Sequence, residues 1–189
     1  MADNTGLDTG PTLRVNGLSL RPFRAEDVTA RYVSWLNDDD VNLYSRRQGA
    51  QTTRDDATAY IDALQKDEVI FAINHPTFGH VGNIKYGPID WDNRRSDISI
   101  LIGEKRAWGK GVARAAMHGV GRYLFEDLKL NRLDAGSANP AFIKSAEAIG
   151  WRIEGVLRQR VWMAGAFWDW TLLSLLSAEF NPALYQETQ

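Results

Sequence analysis

The sequence predicts a mixed α/β fold in a single domain, on three observations. Strand-like and helix-like hydrophobic patterns alternate along the chain, without repeats or a stretch whose composition marks a linker. The length of 189 residues and the hydrophobic content of 44% suit one domain with a substantial core. A glycine-bearing loop joins an apolar strand pattern to a helix of small residues. We expect one domain over 13–180, preceded by a flexible tail (1–12) and followed by a second tail (181–189).

The first half of the chain is predicted to hold two helices and the start of a strand meander. A strand over 18–23 leads into a helix over 26–36, which repeats apolar residues at helical spacing. A second helix is expected to bury Ala57, Tyr60, Ile61 and Leu64. Strands follow over 69–74, 81–86 and 97–102, with turn residues between them.

The second half is predicted to hold two more helices and three more strands. The helix that begins at Val112 carries one face of apolar or small residues, which are Ala115, Ala116, Gly119, Val120, Tyr123 and Leu124. A strand over 132–137, a helix over 141–148 and strands over 152–162 and 170–176 complete the chain. The predicted total is seven strands and four helices.

The loop from Arg106 to Gly111 is predicted to bind a pyrophosphate. Its two glycines allow a tight turn with exposed N–H groups, and the following helix adds its positive N-terminal dipole at the same point. A Walker loop needs Ser or Thr after Lys, but Lys110-Gly111 is followed by Val112. A dinucleotide fingerprint needs a third glycine or an alanine, but Arg114 stands there.

This loop resembles motif A of the GCN5-related N-acetyltransferases (GNAT family), in which it holds the pyrophosphate of acetyl-CoA. Asn139, eleven residues before Gly150-Trp151, is similar to the second motif of the family. The segment over 20–27 resembles the opening strand and first helix cap. The closing hairpin resembles that of the branch that includes ribosomal-protein N-terminal acetyltransferases, at Glu154-Gly155, Leu157-Arg158, Gly165 and Asp169. The resemblance covers residues 18 to 177.

The resemblance implies a central mixed sheet of six to seven strands, flanked by about four helices, in which the fourth and fifth strands splay apart. It also implies acetyl-CoA as the acyl donor and direct transfer of the acetyl group to an amine. The residues implied to bind acetyl-CoA are Ile100, Leu101 and Ile102 through their backbone, then Arg106, Ala107, Trp108, Gly109, Lys110, Gly111, Val112, Ala113 and Asn139.

Three residues are candidates for catalytic roles. Asp134 lies five residues before Asn139, where N-terminal acetyltransferases of this family carry a Glu that acts as the base. Asp97 matches a position that is often acidic in this branch, where it would orient the substrate or a water. An outward-facing strand residue is an equally good reading of Asp134. Many members place a Tyr donor where this chain has Ala146, so Ser145 is the candidate donor to the leaving thiolate.

The segment Trp35-Leu36-Asn37-Asp38, with Tyr44, resembles acetyltransferases that modify the 4-amino group of nucleotide-linked sugars in surface-glycan biosynthesis. The substrate-binding candidates on this interpretation are Trp35, Asn37, Tyr44, Arg46, His80 and Trp168. Two alternatives stay open. One is a protein N-terminal acetyltransferase, in which Asp38, Asp39 and Asp40 would meet the α-ammonium group. The other is a non-catalytic acyl-CoA sensor, which the missing Tyr favours.

Composition restricts the class of partner. A net charge of −2 offers no long-range attraction to nucleic acid or to membrane phosphate, and the chain has no cysteine for a disulfide, thiolate nucleophile or Cys-based zinc site. No metal is expected, because the three histidines have no spaced partner. No apolar run is long enough to span a membrane, so a cytoplasmic protein is expected. Aromatic residues on the late strands make a homodimer possible as a prediction.

Overall fold

The structure is a computed structural model that describes residues 10–45, 49 and 51–185. Over these residues it contains a single eight-stranded sheet and four α-helices. The strands are β1 (Leu13–Val15), β2 (Leu18–Pro22), β3 (Val69–His75), β4 (Gly79–Tyr86), β5 (Arg95–Ile102), β6 (Arg132–Ser137), β7 (Arg152–Met163) and β8 (Ala166–Leu176). The helices are α1 (Ala30–Leu36), α2 (Arg54–Leu64), α3 (Val112–Arg122) and α4 (Pro140–Glu147). None of these helices has the length and apolar character needed to cross a bilayer.

The sheet is mixed, which confirms the predicted α/β class. The strand order is β1-β2-β3-β4-β5-β6-β8-β7, and every neighbouring pair is antiparallel except β5 and β6, which are parallel. The eighth strand is β1, which was not predicted because its three residues are too few for a strand pattern. Its hairpin to β2 turns through Asn16 and Gly17, which have φ of 48° and 75°, as an Asn-Gly turn requires.

The first predicted helix starts later than expected. Residues 25–27 form a 3-10 turn, and α1 begins at Ala30 because Thr29 caps it, its side chain accepting a hydrogen bond from the Tyr32 N–H at 3.1 Å. Asp27, in the 3-10 turn, is buried and binds the guanidinium of Arg21 at 2.5 and 2.7 Å. This ion pair fastens the start of the helical region to β2.

Two cores lie on opposite faces of the sheet. One packs α3 and α4 against the strands and includes Ala115, Ala116, Val120 and Leu124, so the predicted buried face of the third helix is confirmed. The other packs α1 and α2 against the opposite face, with Ala57 and Ile61 buried as predicted. Tyr60, expected in that core, is instead 41% exposed.

The parallel strands β5 and β6 separate along their length. They pair only from Arg95 to Asp97 against Arg132 to Asp134. Beyond these pairs, residues 98–102 of β5 lie next to β4 on one side only, and the unpaired edge is about 15 Å long at the usual rise per residue. These are the two strands that the resemblance predicted to splay, numbered one higher here because of β1. The gap between them is called the wedge below.

Candidate active site

The wedge is lined by backbone groups from alternate residues of β5. The Gly87 N–H donates to the Asp97 carbonyl at 3.2 Å and the Gly103 N–H donates to the Val81 carbonyl at 3.0 Å. The backbone N–H and C=O groups of odd-numbered residues in β5 therefore point toward β4. Those of Ile98, Ile100 and Ile102 point into the wedge. Leu101, predicted with Ile100 and Ile102 as a backbone contact, has its N–H directed at β4.

The predicted pyrophosphate loop connects β5 to α3. Gly109 and Gly111 have φ of 72° and 78°, a left-handed conformation that glycine adopts without strain. Gly111 immediately precedes α3, so the N–H groups of Val112 and Ala113 belong to the first helical turn, which has no intrahelical acceptor. The donor set of this loop fits the diphosphate of a coenzyme A. The side chain of Trp108 connects the loop to the end of β5, because its indole Nε1 donates to the Ile102 carbonyl at 2.8 Å.

Arg106 at the start of the loop and Lys105 just before it are paired with acids. Glu104 accepts from the Arg106 Nε at 2.8 Å and also binds Arg31; these contacts, the one with Arg106 foremost, lower the pKa of Glu104 to about 2. The Lys105 Nζ lies 2.9 Å from Asp38 and 2.6 Å from Asp40. An incoming diphosphate thus competes with carboxylates for these cations.

Two carboxylates stand side by side where the wedge closes. Asp97 and Asp134 are register partners on β5 and β6, and both lie on the face opposite α3. Partial burial of its carboxyl group, and next the negative charge of Asp134, raise the pKa of Asp97. The Oδ1 of Asp134 accepts from the Arg132 Nε at 2.7 Å, and its Oδ2 lies 3.6 Å from Arg95. That Oδ2 is buried and accepts no hydrogen bond from the described residues.

Arg132 was not predicted as a site residue. Its guanidinium also donates two hydrogen bonds to Glu154 on β7, at 2.8 and 2.6 Å. The available signal was the spacing of two between Arg132 and Asp134, which puts both side chains on one face of a strand.

An aromatic cluster continues this face beyond Asp134. Trp170 on β8 lies directly on Gly136, where any Cβ would overlap its ring. Trp170 packs with Tyr44 and Trp168 against Ala138, Val161 and Met163. The Tyr44 and Trp168 rings meet edge to face, with their centroids 5.5 Å apart. The structure therefore brings two predicted substrate residues together, on the face of the sheet that carries Asp97 and Asp134.

The other predicted substrate residues lie elsewhere. Trp35 is buried and packs on Gly103, and His80 stacks among Trp35 and Tyr32 while its Nε2 lies 2.9 Å from the Gly82 carbonyl. Asn37 exchanges two hydrogen bonds with the backbone of Thr52, at 2.9 and 2.7 Å. These three side chains hold the α1 region together. Arg46 lies outside the described residues.

Helix α4 lies on the same face as α3, because Ala146 is fully buried in the core of that face. Asn139 caps α4 through its Oδ1, which accepts from the N–H groups of Ala141 and Phe142 at 2.9 and 3.4 Å. This cap uses the carbonyl oxygen and not the amide nitrogen of Asn139. Ser145 is half-buried, next to Ala146.

Comparison with known sequences decides the family. The model of the family described as "Acetyltransferase (GNAT) domain" matches residues 18–152. The chain belongs to the GNAT family. As a GNAT protein with N-acetyltransferase relatives, it is an acyl-CoA-dependent N-acetyltransferase. It is 27% identical over 186 residues to a protein of Bacillus licheniformis named "Uncharacterized N-acetyltransferase p20", a match that covers 89% of this chain and 98% of that protein.

Solved GNAT structures share the fold. An acetyltransferase from Bacillus anthracis superposes with a TM-score of 0.76 at 21% identity, over 89% of this chain and all (100%) of that one. A spermidine N-acetyltransferase from Vibrio cholerae, solved in complex with CoA and spermine, superposes with a TM-score of 0.76 at 20% identity, over 86% of this chain and 97% of that one. At such identities the likeness establishes the architecture alone.

Proposed function

We propose that this GNAT enzyme transfers the acetyl group of acetyl-CoA to the amine of a nucleotide-linked 4-amino sugar. The observation that carries the acceptor class is the Tyr44 and Trp168 pair, which follows Asp134 and Gly136 along the face of the sheet opposite α3. Aromatic rings of this kind bind the apolar faces of sugar and base rings. Sugar-nucleotide binding there would place the reacting amine toward the carboxylates.

The donor enters, on this proposal, from the side of α3 and α4. Its diphosphate binds the N–H groups of the loop from Gly109 to Ala113, and its pantetheine arm lies along the open edge of β5. The N–H groups of Ile98 and Ile100 face the wedge, so one of them is placed to donate to the thioester oxygen as negative charge develops on it. The amide nitrogen of Asn139 is directed to a carbonyl of the arm.

The transfer needs one proton acceptor and one proton donor. The acceptor nitrogen attacks the thioester carbon, the C–N bond forms, and the C–S bond breaks to release the CoA thiolate. We assign the amine proton to the Asp97 carboxylate, because Asp134 is already engaged by Arg132. Ser145, on the face of the sheet where acetyl-CoA is proposed to bind, donates a proton to the thiolate directly or through water.

Charge pairing argues against the other amine classes. Of Asp38, Asp39 and Asp40, which an N-terminal acetyltransferase would use for the α-ammonium group, the first and the last are bound to Lys105. Asp134 and Glu154 are both bound to Arg132, so neither is free to pair with a polycation such as the spermine in the Vibrio cholerae structure. An acceptor with a single amine, which needs no row of free carboxylates, suits this site better.

The test is release of free thiol from acetyl-CoA with three acceptor panels: nucleotide-linked 4-amino sugars, peptides with free N-termini, and polyamines. We expect turnover on the sugars, with kcat/KM at least tenfold above any peptide or polyamine. Preference for a peptide or polyamine would overturn the proposed acceptor class. Tight CoA binding without turnover on any panel would count against all three acceptors.

A further inference from the structure

We propose that Arg132 and Glu154 are positioning residues that hold Asp134 in an ion pair and so leave Asp97 as the proton acceptor of the carboxylate pair. This inference rests on the proposed function, because it concerns the proton that leaves the amine. It is carried by the geometry of a network that spans three strands. Neither residue touches the wedge edge of β5, so each acts through Asp134.

The network joins Asp134, Arg132 and Glu154, and hydrogen bonds fix both Arg132 and Glu154 in place. Arg132 on β6 binds Asp134 through Nε and a second nitrogen, at 2.7 and 2.6 Å, and forms a two-pronged pair with Glu154 on β7. Such bidentate pairs fix the plane of the guanidinium. Glu154 is held in turn by the Ser174 hydroxyl, which donates to it at 2.6 Å. Ser174 is 3% exposed and is the register partner of Asp134 on β8, so the anchor is rigid.

The network makes the two carboxylates unequal. A carboxylate held by charge-assisted hydrogen bonds has its oxygen engaged, so a neighbouring carboxylate without such a partner is the one left free to accept a proton. Asp134 has that partner in Arg132, and Asp97 has no direct hydrogen bond to any cation of the described chain. Glu154 limits the effect, because it shares the charge of Arg132 with Asp134.

The remaining charged groups around Asp97 do not reverse this order. Arg95, on the same strand, is shared between Asp90 and Asp134, at 3.3 and 3.6 Å. Lys85 on β4 is bound to Glu68, which precedes β3, so these two largely cancel at Asp97. The asymmetry within the pair therefore comes mainly from Arg132, which lies closer to Asp134 than Arg95 does.

The test uses two substitutions of opposite sign. Glu154→Gln removes a negative charge and leaves Arg132 to the pair, so we expect the acid limb of kcat/KM and the titration of the Asp97 carboxyl carbon by NMR to move to lower pH. Arg132→Gln removes the positive charge, so both should move to higher pH. The expected shifts are about 0.3 to 1 pH unit in opposite directions.

Two further variants serve as controls. Arg132→Lys keeps the positive charge but loses the planar guanidinium, so we expect a lower kcat. The acid limb of its kcat/KM profile should lie closer to wild type than that of Arg132→Gln. Glu147→Gln removes one negative charge from an exposed position on α4, and it should leave the acid limb and the Asp97 titration unchanged. If Glu154→Gln and Arg132→Gln leave the Asp97 titration unchanged, or move it in the same direction, the inference is wrong. The NMR titration needs no acceptor, so this result is separate from failure of the proposed function.

Discussion

At the scale of single residues, the proposed chemistry depends on the uneven environment of Asp97 and Asp134. Asp97 lies at an exposed position, where an acceptor can reach it, yet its carboxyl group is partly desolvated and stands beside Asp134. Both effects raise its pKa, which makes it a better proton acceptor than an ordinary Asp. The folded state binds this proton more readily than the unfolded chain, so the group lowers stability as pH rises through the raised pKa.

Substitution Asp97→Asn should separate activity from stability. We expect kcat to fall by about 100-fold or more, because the proton acceptor is lost, while the melting temperature at neutral pH stays equal to wild type or rises. The KM for acetyl-CoA should change little. Thiol-release kinetics and thermal melts measure these quantities, and Asp92→Asn, an exposed acid in the connection from β4 to β5, is the control. Retention of kcat in Asp97→Asn would remove Asp97 from the proposed chemistry.

The glycine before α3 offers a second test at this scale. An alanine at Gly111 must adopt φ near 78°, which costs about 1 to 2 kcal/mol. We expect the KM for acetyl-CoA to rise by about 5- to 30-fold, the corresponding factor in an equilibrium constant, with a smaller effect on the acceptor KM. The matched control is Gly17→Ala, because Gly17 has φ of 75° and open space around it but lies in the turn between β1 and β2. Equal effects of the two substitutions on the acetyl-CoA KM would contradict a binding role for Gly111.

At the scale of elements, β6 and β8 position the acceptor side of the wedge. Gly136 lies two residues after Asp134, on the same face, and Trp170 rests directly on it. The Trp ring in turn packs with the cluster that contains Tyr44 and Trp168. The small residue at 136 therefore sets how closely the aromatic cluster approaches the carboxylates.

Substitution Gly136→Ala should displace Trp170 and disturb this cluster. Because the new Cβ would overlap the ring, we expect a loss of stability of about 1 to 3 kcal/mol and a rise of at least fivefold in the acceptor KM. The acetyl-CoA KM should stay near wild type. Chemical denaturation and initial-rate kinetics measure these changes. Gly155→Ala on β7, where a Cβ meets nothing within 4 Å, is the control. An unchanged acceptor KM in Gly136→Ala would show that the aromatic cluster is not part of the acceptor site.

Elements also show where sequence reasoning fails. The loop and α3 were predictable, because glycines with positive φ and a small-residue helix leave local signals at Gly109, Gly111 and Ala115. The placement of the proposed acceptor residues was predictable only in part, since Tyr44 and Trp168 come together. Trp35 and His80 pack around α1 instead, which only the tertiary contacts reveal. Their periodicity in the sequence is the same whether they face the core or a ligand.

At the scale of the whole molecule, the sheet separates the proposed donor side from the proposed acceptor side. Helices α3 and α4 and the loop lie on one face, whereas Asp97, Asp134 and the Tyr44 cluster lie on the other. On this proposal donor and acceptor meet at the wedge without crossing each other's binding surface. This geometry suits direct transfer, in which both substrates are bound together.

The outer edge of the sheet is exposed. Strand β7 ends the strand order, and the hairpin tip carries Trp162 and Phe167, each 60% exposed. The homodimer expected from these aromatic residues stays a prediction. Light scattering of the purified protein, compared with a Trp162→Ser/Phe167→Ser variant, measures it; a monomeric wild type would contradict it.

A crystal structure of the wild-type protein with acetyl-CoA would test the proposed donor site and the role of the wedge together. We expect the diphosphate on the N–H groups of residues 109–113, and the pantetheine arm in the wedge against Ile98 to Ile102, with the thioester near Asp97. A diphosphate bound elsewhere, or an arm lying across a face of the sheet outside the wedge, would contradict the proposed donor site.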